Sequence, residues 1–231
     1  MPVPNSMNKN GILLVDKTPG STSFDLVAIL RRLIKIEKIG HAGTLDPFAT
    51  GVMVMLIGRD FTRRSNEFLS SEKKYRATLT LGIATDTFDK DGQVMSQSTL
   101  VPTLKAVEAA LVPFQGEVLQ TPPMFSAKKI NGQKLCDLAR KGITVERAPV
   151  KVELETKLIR YEYPEFEIEV DCSKGTYSRS IASELGEILQ CGAHLSALSR
   201  LRSGTFSLDQ CISQNLLNNP GFDITPHLIH M

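Results

Sequence analysis

Tryptophan is absent from this chain of 231 residues, and cysteine is scarce. The four cysteines lie far apart, with no C-x-x-C pair and no histidines at zinc-finger spacing; they are Cys136, Cys172, Cys191 and Cys211. Such spacing argues against a zinc site and indicates free thiols in a reducing cytosol. We therefore expect no bound metal.

Long apolar runs are also missing. The longest, residues 52–57, has six residues, whereas a membrane-spanning helix needs about 20. Residues 1–10 are polar, contain Pro2 and Pro4, and lack the apolar core of a signal peptide. We expect a cytoplasmic protein without membrane attachment, whose residues 1–10 are disordered or loosely held.

The motifs that cradle nucleotide phosphates are not found either. The chain has no P-loop, no dinucleotide-binding fingerprint and no Ser/His/Asp series. Their absence argues against an enzyme of free nucleotides, and no cofactor is expected.

Neither sign of charge dominates: the chain contains 27 Lys and Arg and 25 Asp and Glu, which gives a net charge of +2. The local balance is uneven: residues 59–76 have six basic and three acidic residues, and residues 128–151 have seven and two. Residues 153–171 reverse this, with two basic and seven acidic residues. The basic stretches suit an RNA backbone, although a solvated surface of alternating sign gives the same pattern.

Strands and helices alternate along the chain without the regular spacing of a doubly wound fold, which favours a mixed α+β domain. The apolar patterns predict strands at residues 11–16, 52–57, 75–81, 150–159 and 166–172. They predict one helix that is capped by Thr22 or Ser23. Three further helices are predicted at residues 104–111, 134–140 and 178–190.

Two polar stretches could carry chemistry. Residues 40–51 form a glycine-rich loop that presents Asp46, although an aspartate before proline is also a common turn residue. Residues 172–179 form a strand-to-helix turn with Arg179 in the first helical turn, where a carboxylate partner is natural and a plain surface arginine is the alternative. Tyr75 and Tyr177 could stack on a base or pack in the core.

Five ordered segments resemble the TruB family of tRNA pseudouridine synthases. Gly40-His-Ala-Gly-Thr-Leu-Asp-Pro-Phe-Ala-Thr-Gly51 resembles the family's catalytic loop, and Gly11-Ile-Leu-Leu-Val-Asp-Lys-Thr-Pro-Gly20 its opening motif. The other three are residues 73–77 with 82–92, residues 122–129 continued by Gly132 and 139–142, and residues 172–179. The resemblance covers about residues 11–206.

The resemblance implies the pseudouridine synthase fold, a mixed and mostly antiparallel sheet flanked by helices and loops. It implies that uridine 55 in the T-arm loop of tRNA is isomerised to pseudouridine, with Asp46 as the catalytic carboxylate and Arg179 as its partner. Tyr75 matches the ring that stacks on the flipped uracil, and Tyr177 and Leu198 match positions that line the uracil pocket. His41 matches the residue that enters the RNA loop, and Arg63 a basic position near the target nucleotide.

The resemblance also implies an organisation of the chain. Residues 11–206 are expected to be the catalytic domain, with residues 123–150 as a flexible RNA-binding thumb. Residues 207–231 are expected to be a short tail, too short for the PUA-type domain of longer members. We expect a monomer whose partner is the T-arm of tRNA. The alternative hypothesis is a non-catalytic protein that binds or folds tRNA on the same fold.

Overall fold

The computed structural model describes residues 9–230, which divide into two compact units. The first unit comprises residues 1–74 and 199–231, and the second comprises residues 75–198. The expectation of a loosely held N-terminus falls mostly on residues 1–8, which lie outside the described residues.

The secondary structure interleaves strands and helices, as the sequence predicted. The strands are β1 (Gly11–Lys17), β2 (Ile39–His41), β3 (Thr50–Ile57), β4 (Lys73–Leu81), β5 (Ile83–Thr85), β6 (Val94–Gln97), β7 (Gly116–Gln120), β8 (Lys129–Ile130), β9 (Gln133–Lys134), β10 (Val150–Glu162), β11 (Glu165–Cys172), β12 (Ala193–Ser203), β13 (Phe206–Ser207), β14 (Ile212–Ser213) and β15 (Leu228–Ile229). The helices are α1 (Ser23–Ile34), α2 (Arg59–Arg63), α3 (Ser65–Leu69), α4 (Leu104–Ala110), α5 (Leu135–Ala139) and α6 (Ser178–Ile188). Four 3-10 turns lie at residues 112–114, 208–210, 214–218 and 225–227.

The first unit is built around β1 and β3, which pair antiparallel over seven positions. On its other edge β1 pairs with β14 in parallel and with β15 antiparallel. β3 also pairs with β2, and in parallel with the end of β12 at Ser199 and Arg200. The apolar run of residues 52–57 is fully buried, which confirms the buried strand predicted there.

Helix α1 begins where the sequence indicates. Thr22 is the N-cap, and its side chain and that of Asp25 form a reciprocal capping box. Leu26, Val27 and Leu30 are buried on its inner face. The apolar Phe24 does not share that face: it is 65% exposed and lies under the guanidinium group of Arg31.

In the second unit the strands follow the order β12, β4, β11, β10, β7. β10 and β11 form an antiparallel hairpin, and β7 pairs antiparallel with the start of β10. The alternation predicted for β4 is confirmed, because Ala77, Leu79 and Leu81 are buried while Arg76 is exposed. Two small sheets, β5 with β6 and β8 with β9, stand apart from these strands.

The architecture is α+β, and most of its strand pairs are antiparallel, which confirms the predicted class. β1 with β14 and β3 with β12 pair in parallel. The sequence patterns did not predict β12, which has residues in both units. None of the helices within residues 9–230 combines the length and apolar character needed to traverse a lipid bilayer.

Candidate active site

The loop of residues 40–51 connects β2 to β3 and holds Asp46. Distant residues bind its backbone: the amide of Gly20 donates to the carbonyl of Pro47 at 2.9 Å. Ser23 accepts from the amide of Leu45 at 3.0 Å and donates to the same residue's carbonyl at 3.3 Å. Within the loop, the amide of Ala49 donates to the carbonyl of Asp46. Because these bonds fix the backbone on both sides of Asp46, its carboxylate is attached to a rigid support.

Lys17, at the end of β1, lies completely buried beneath this loop. Its ammonium group donates to the carbonyls of Ala49 (2.6 Å), Pro47 (3.0 Å) and Thr18 (3.0 Å). Burial lowers the pKa of Lys17 to about 8, although the negative charge of Asp46 acts in the opposite direction. The lysine is therefore still mostly protonated at pH 7, and its charge favours the ionised form of Asp46.

Arg200, on β12, is a second buried cation in the same unit, with 1% of its surface exposed. Its Nε donates to the carbonyl of Val52 at 2.7 Å, and its Nη2 to the carbonyl of Gly43 at 3.2 Å. The same Nη2 lies 3.1 Å from the sulfur of Met53. A hydrophobicity pattern places arginine at the surface, so sequence reasoning did not single out this residue.

Two glycines of the loop have positive φ and lie against Arg200. Gly51 has φ +99°, and a Cβ there would lie 2.3 Å from the carbonyl oxygen of Arg200. Gly43 has φ +100°, and a Cβ there would lie 3.4 Å from Nη1 of Arg200. The glycines in this stretch thus permit both a left-handed backbone and the close approach of β12 to β3.

Asp46 and His41 are both half-buried in this loop, with Asp46 between the buried side chains of Leu45 and Phe48. Burial, followed by the charge of Arg200, lowers the pKa of His41 below its usual 6.5, against an opposing effect of the Gly43 backbone. The imidazole is therefore neutral near pH 7. Arg63 is exposed at the end of α2.

In the second unit, Arg179 is buried in the first turn of α6. Its Nη1 lies 3.6 Å from Oδ2 of Asp89, and its Nη2 donates to the carbonyl of Phe125 at 2.8 Å. Asp89 in turn accepts from the hydroxyl of Thr87 at 2.6 Å. A carboxylate beside Arg179 was expected, and within this unit Asp89 is one such partner.

Tyr177 is the N-cap residue of α6, and Gln120 at the end of β7 binds its backbone in both directions. The side chain of Gln120 accepts from the amide of Tyr177 at 2.7 Å and donates to its carbonyl at 3.1 Å. Tyr75 is half-buried near the start of β4, and Leu198 is 8% exposed on β12.

The structure therefore groups the predicted residues within each unit. His41 and Asp46 share one loop of the first unit, and Tyr177 and Arg179 share one turn of the second. Sequence reasoning assigned no role to Lys17 or Asp89, although each lies in a segment that carried the family resemblance. Within residues 9–230, no three or more His, Cys, Asp or Glu side chains lie close enough together to hold a metal ion.

Two solved structures share this fold over nearly the whole of this chain. The "Crystal Structure of a Cbf5-Nop10-Gar1 Complex" matches with a TM-score of 0.72 and 26% identity over 95% of this chain. The "Structure of H/ACA RNP bound to a substrate RNA containing 2'-deoxyuridine" matches with a TM-score of 0.66 and 26% identity over 90% of it. This chain spans 59% and 52% of those two chains. The fold is thus that of the pseudouridine synthases.

The sequence comparisons define the family. Residues 31–178 match the family model for the N-terminal domain of TruB family pseudouridylate synthases, and residues 179–219 match that for the C-terminal domain of tRNA pseudouridylate synthase B. A relative from Chlamydia muridarum is 58% identical over 94% of this chain and 90% of its own length. One from Opitutus terrae is 46% identical over 88% and 85%, and both are named tRNA pseudouridine synthase B. The chain belongs to the TruB family, which confirms the resemblance.

Proposed function

We propose that this protein is a tRNA pseudouridine synthase that converts uridine 55 of the T-arm loop to pseudouridine, with Asp46 as its essential carboxylate. The observation that carries the proposal is the rigid loop that holds Asp46 above a buried, protonated lysine. Support also comes from relatives of similar length that are named tRNA pseudouridine synthase B.

The reaction is an isomerisation. The bond from N1 of uracil to C1′ of the ribose breaks, the uracil turns, and a bond forms from C5 to C1′. The proton on C5 leaves and N1 gains one, so no cofactor is consumed. Attack at C1′, addition at C6 and formation of a glycal all require an ionised Asp46 that acts as a nucleophile or a base. The charge of Lys17 supports that ionisation state.

The target uridine must leave its stack before an aspartate can reach it, which costs a few kcal/mol. We assign Tyr75 to stacking on the flipped base, an interaction that contributes about 1–3 kcal/mol. Tyr177 and Leu198 would line the uracil pocket, and Arg179 would have the role of the basic partner that the family resemblance implies. Neutral His41 would contact the displaced nucleotides by hydrogen bonding, and exposed Arg63 would contact a phosphate.

We assign residues 123–150 to a thumb that closes on the RNA. The segment contains only the small β8–β9 sheet and helix α5, and most of its side chains are exposed. Seven basic residues against two acidic ones within residues 128–151 suit a phosphate backbone. We place residues 11–206 in the catalytic domain and residues 207–231 in a short tail, and we propose that the protein acts as a cytoplasmic monomer.

Asp46→Asn tests the proposal. With unmodified tRNA that carries tritium at C5 of its uridines, we expect tritium release to fall by roughly 1,000-fold or more, because an amide is neither nucleophile nor base at this site. The dissociation constant for tRNA should stay within about threefold of the wild-type value, since the substitution is nearly isosteric. Exposed Asp209→Asn, in the same unit, is the matched control and should keep full activity.

Mapping pseudouridine in the product tRNA tests the position. Pseudouridine at position 55 after multiple turnovers distinguishes a synthase from a protein that only binds or folds tRNA. Undiminished turnover by Asp46→Asn would refute the role of Asp46, and modification at a different nucleotide would refute the assignment to the T-arm.

A further inference from the structure

The guanidinium group of Arg200 binds the backbone on both sides of Asp46. Gly43, whose carbonyl accepts from Nη2, precedes Asp46 by three residues, and Val52, whose carbonyl accepts from Nε, follows it in β3. The backbone of Arg200 also pairs with Gly51 in the parallel ladder between β12 and β3. One residue thus holds the beginning and the end of the segment that carries Asp46.

Burying this arginine is costly, because no carboxylate within residues 9–230 forms an ion pair with it. A buried cation without a counter-ion destabilises a fold, and an apolar side chain of similar volume often serves stability as well or better. Met53 beside it shows that the surroundings can accept an apolar side chain. The reason for an arginine at this position is therefore its planar array of hydrogen-bond donors, and not the volume that its side chain fills.

That array specifies geometry. Two nitrogens of one rigid plane bind two carbonyls that lie on opposite sides of the loop, which fixes their separation and direction. Catalytic groups lose about 100-fold in rate when they are displaced by about 1 Å. The contacts of Lys17 do not replace this restraint, because they lie after Asp46, at Pro47 and Ala49.

We propose that Arg200 is a positioning residue for Asp46, which sets the placement of the carboxylate by joining Gly43 to Val52. The inference rests on the proposed function, since it assumes that Asp46 reacts with uridine. Arg200 itself contacts neither RNA nor the reacting atoms in this role.

Arg200→Lys and Arg200→Met test the proposal under single-turnover conditions with saturating enzyme. Lysine keeps the charge but has one nitrogen and cannot bind both carbonyls in a plane. We expect Arg200→Lys to slow pseudouridine formation by about 10- to 100-fold, with the dissociation constant for tRNA within about threefold. Arg200→Met, which keeps neither charge nor donors, should slow it further. Arg160→Lys, an exposed substitution of the same type on the β10–β11 hairpin, is the matched control.

A second measurement covers variants that fold poorly. Hydrogen–deuterium exchange of a peptide covering residues 40–52 should be faster in Arg200→Lys, while exchange in β10 and β11 stays unchanged. The rates of pseudouridine formation are normalised to the folded fraction of each variant, which is measured by circular dichroism. If Arg200→Met does not fold, Arg200→Lys alone carries the test.

The proposal is overturned if Arg200→Lys forms pseudouridine within about twofold of the wild-type rate, or if the loss disappears on normalisation to the folded fraction. It is also overturned if exchange in residues 40–52 is unaltered. A wild-type protein that forms no pseudouridine would instead refute the proposed function, and the exchange comparison would then still decide whether Arg200 positions the loop.

Discussion

The loop of residues 40–51 and the segment of residues 123–150 are both irregular, but they obtain their hydrogen bonds from different places. The loop is bound by residues distant in sequence, such as Lys17 and Arg200, which lie 32 and 157 positions from their partners Ala49 and Gly43. In residues 123–150 the carbonyl of Phe125 accepts from Arg179 and Val150 pairs with Gln120, but the hydrogen bonds between these two positions are local, such as that from the amide of Leu135 to the carbonyl of Lys128. The loop is also largely buried, whereas the segment is mostly exposed.

The difference matches the two tasks that we propose for these regions. A carboxylate that must meet one atom of a flipped nucleotide needs a fixed backbone, and long-range bonds from buried cations provide it. A surface that closes on RNA needs low local stability and many cations, and a segment with few buried side chains provides both. A break in hydrophobic periodicity therefore marks both regions. It corresponds to a rigid loop at residues 40–51 and to an exposed segment with few buried side chains at residues 123–150.

Glycine substitutions give the largest contrast between the two regions. Gly51→Ala should reduce the free energy of unfolding by about 3 kcal/mol or more, because its Cβ would overlap the backbone of Arg200 at positive φ. Gly142→Ala, at φ +71° with open space around it, should cost at most about 1 kcal/mol. Urea unfolding measures both, and equal costs would contradict the contrast.

Lysine substitutions separate stability from RNA binding. Lys17→Met should reduce the free energy of unfolding by about 2–3 kcal/mol, since three backbone carbonyls each lose one hydrogen bond. Exposed Lys141→Met should leave stability within about 0.5 kcal/mol. It should instead lower the slope of log Kd against log salt by about one, as expected for one lost phosphate contact. A stability loss in Lys141→Met, or none in Lys17→Met, would refute this division.

The pH dependence of stability isolates the buried lysine, with an effect that is small over any single pH unit. The pKa of Lys17 is about 8 in the folded protein and returns to about 10.5 on unfolding. Between these values the unfolded chain holds more protons, so the free energy of unfolding rises with pH by up to about 1.4 kcal/mol per unit. The difference in the free energy of unfolding between wild type and Lys17→Met, measured from pH 7 to about 10.5, reports this contribution. A difference that does not change with pH would contradict it.

Local patterns were sufficient for much of the fold. The apolar run at residues 52–57, the alternation from Ala77 to Leu81 and the capping signal at Thr22 each appear in the structure as predicted. Asp46 was singled out because glycines and a proline break all periodicity around it, and its catalytic role stays a prediction. In these cases the physical cause lies within a few residues of its effect.

Other features depend on contacts that no local pattern records. β12 was missed because serine, histidine and arginine interrupt its apolar residues, and its partners β3 and β4 are far away in sequence. Lys17 and Arg200 are charged residues of types that usually lie at the surface, and their burial depends on carbonyls provided by the loop. The ion pair of Arg179 with Asp89 likewise joins segments about 90 residues apart.

The first unit draws on both ends of the chain, and this has a consequence for protein synthesis. Arg200 and Gln214, whose side chain accepts from the amide of Thr18, are translated long after Asp46. At about 5–20 residues per second, the ribosome needs on the order of ten seconds or more to reach them. During that interval the nascent chain carries Asp46 without the contacts that Arg200 and Gln214 provide. Given the roles that we propose for Asp46 and Arg200, we expect translation products that end before residue 200 to form little or no pseudouridine.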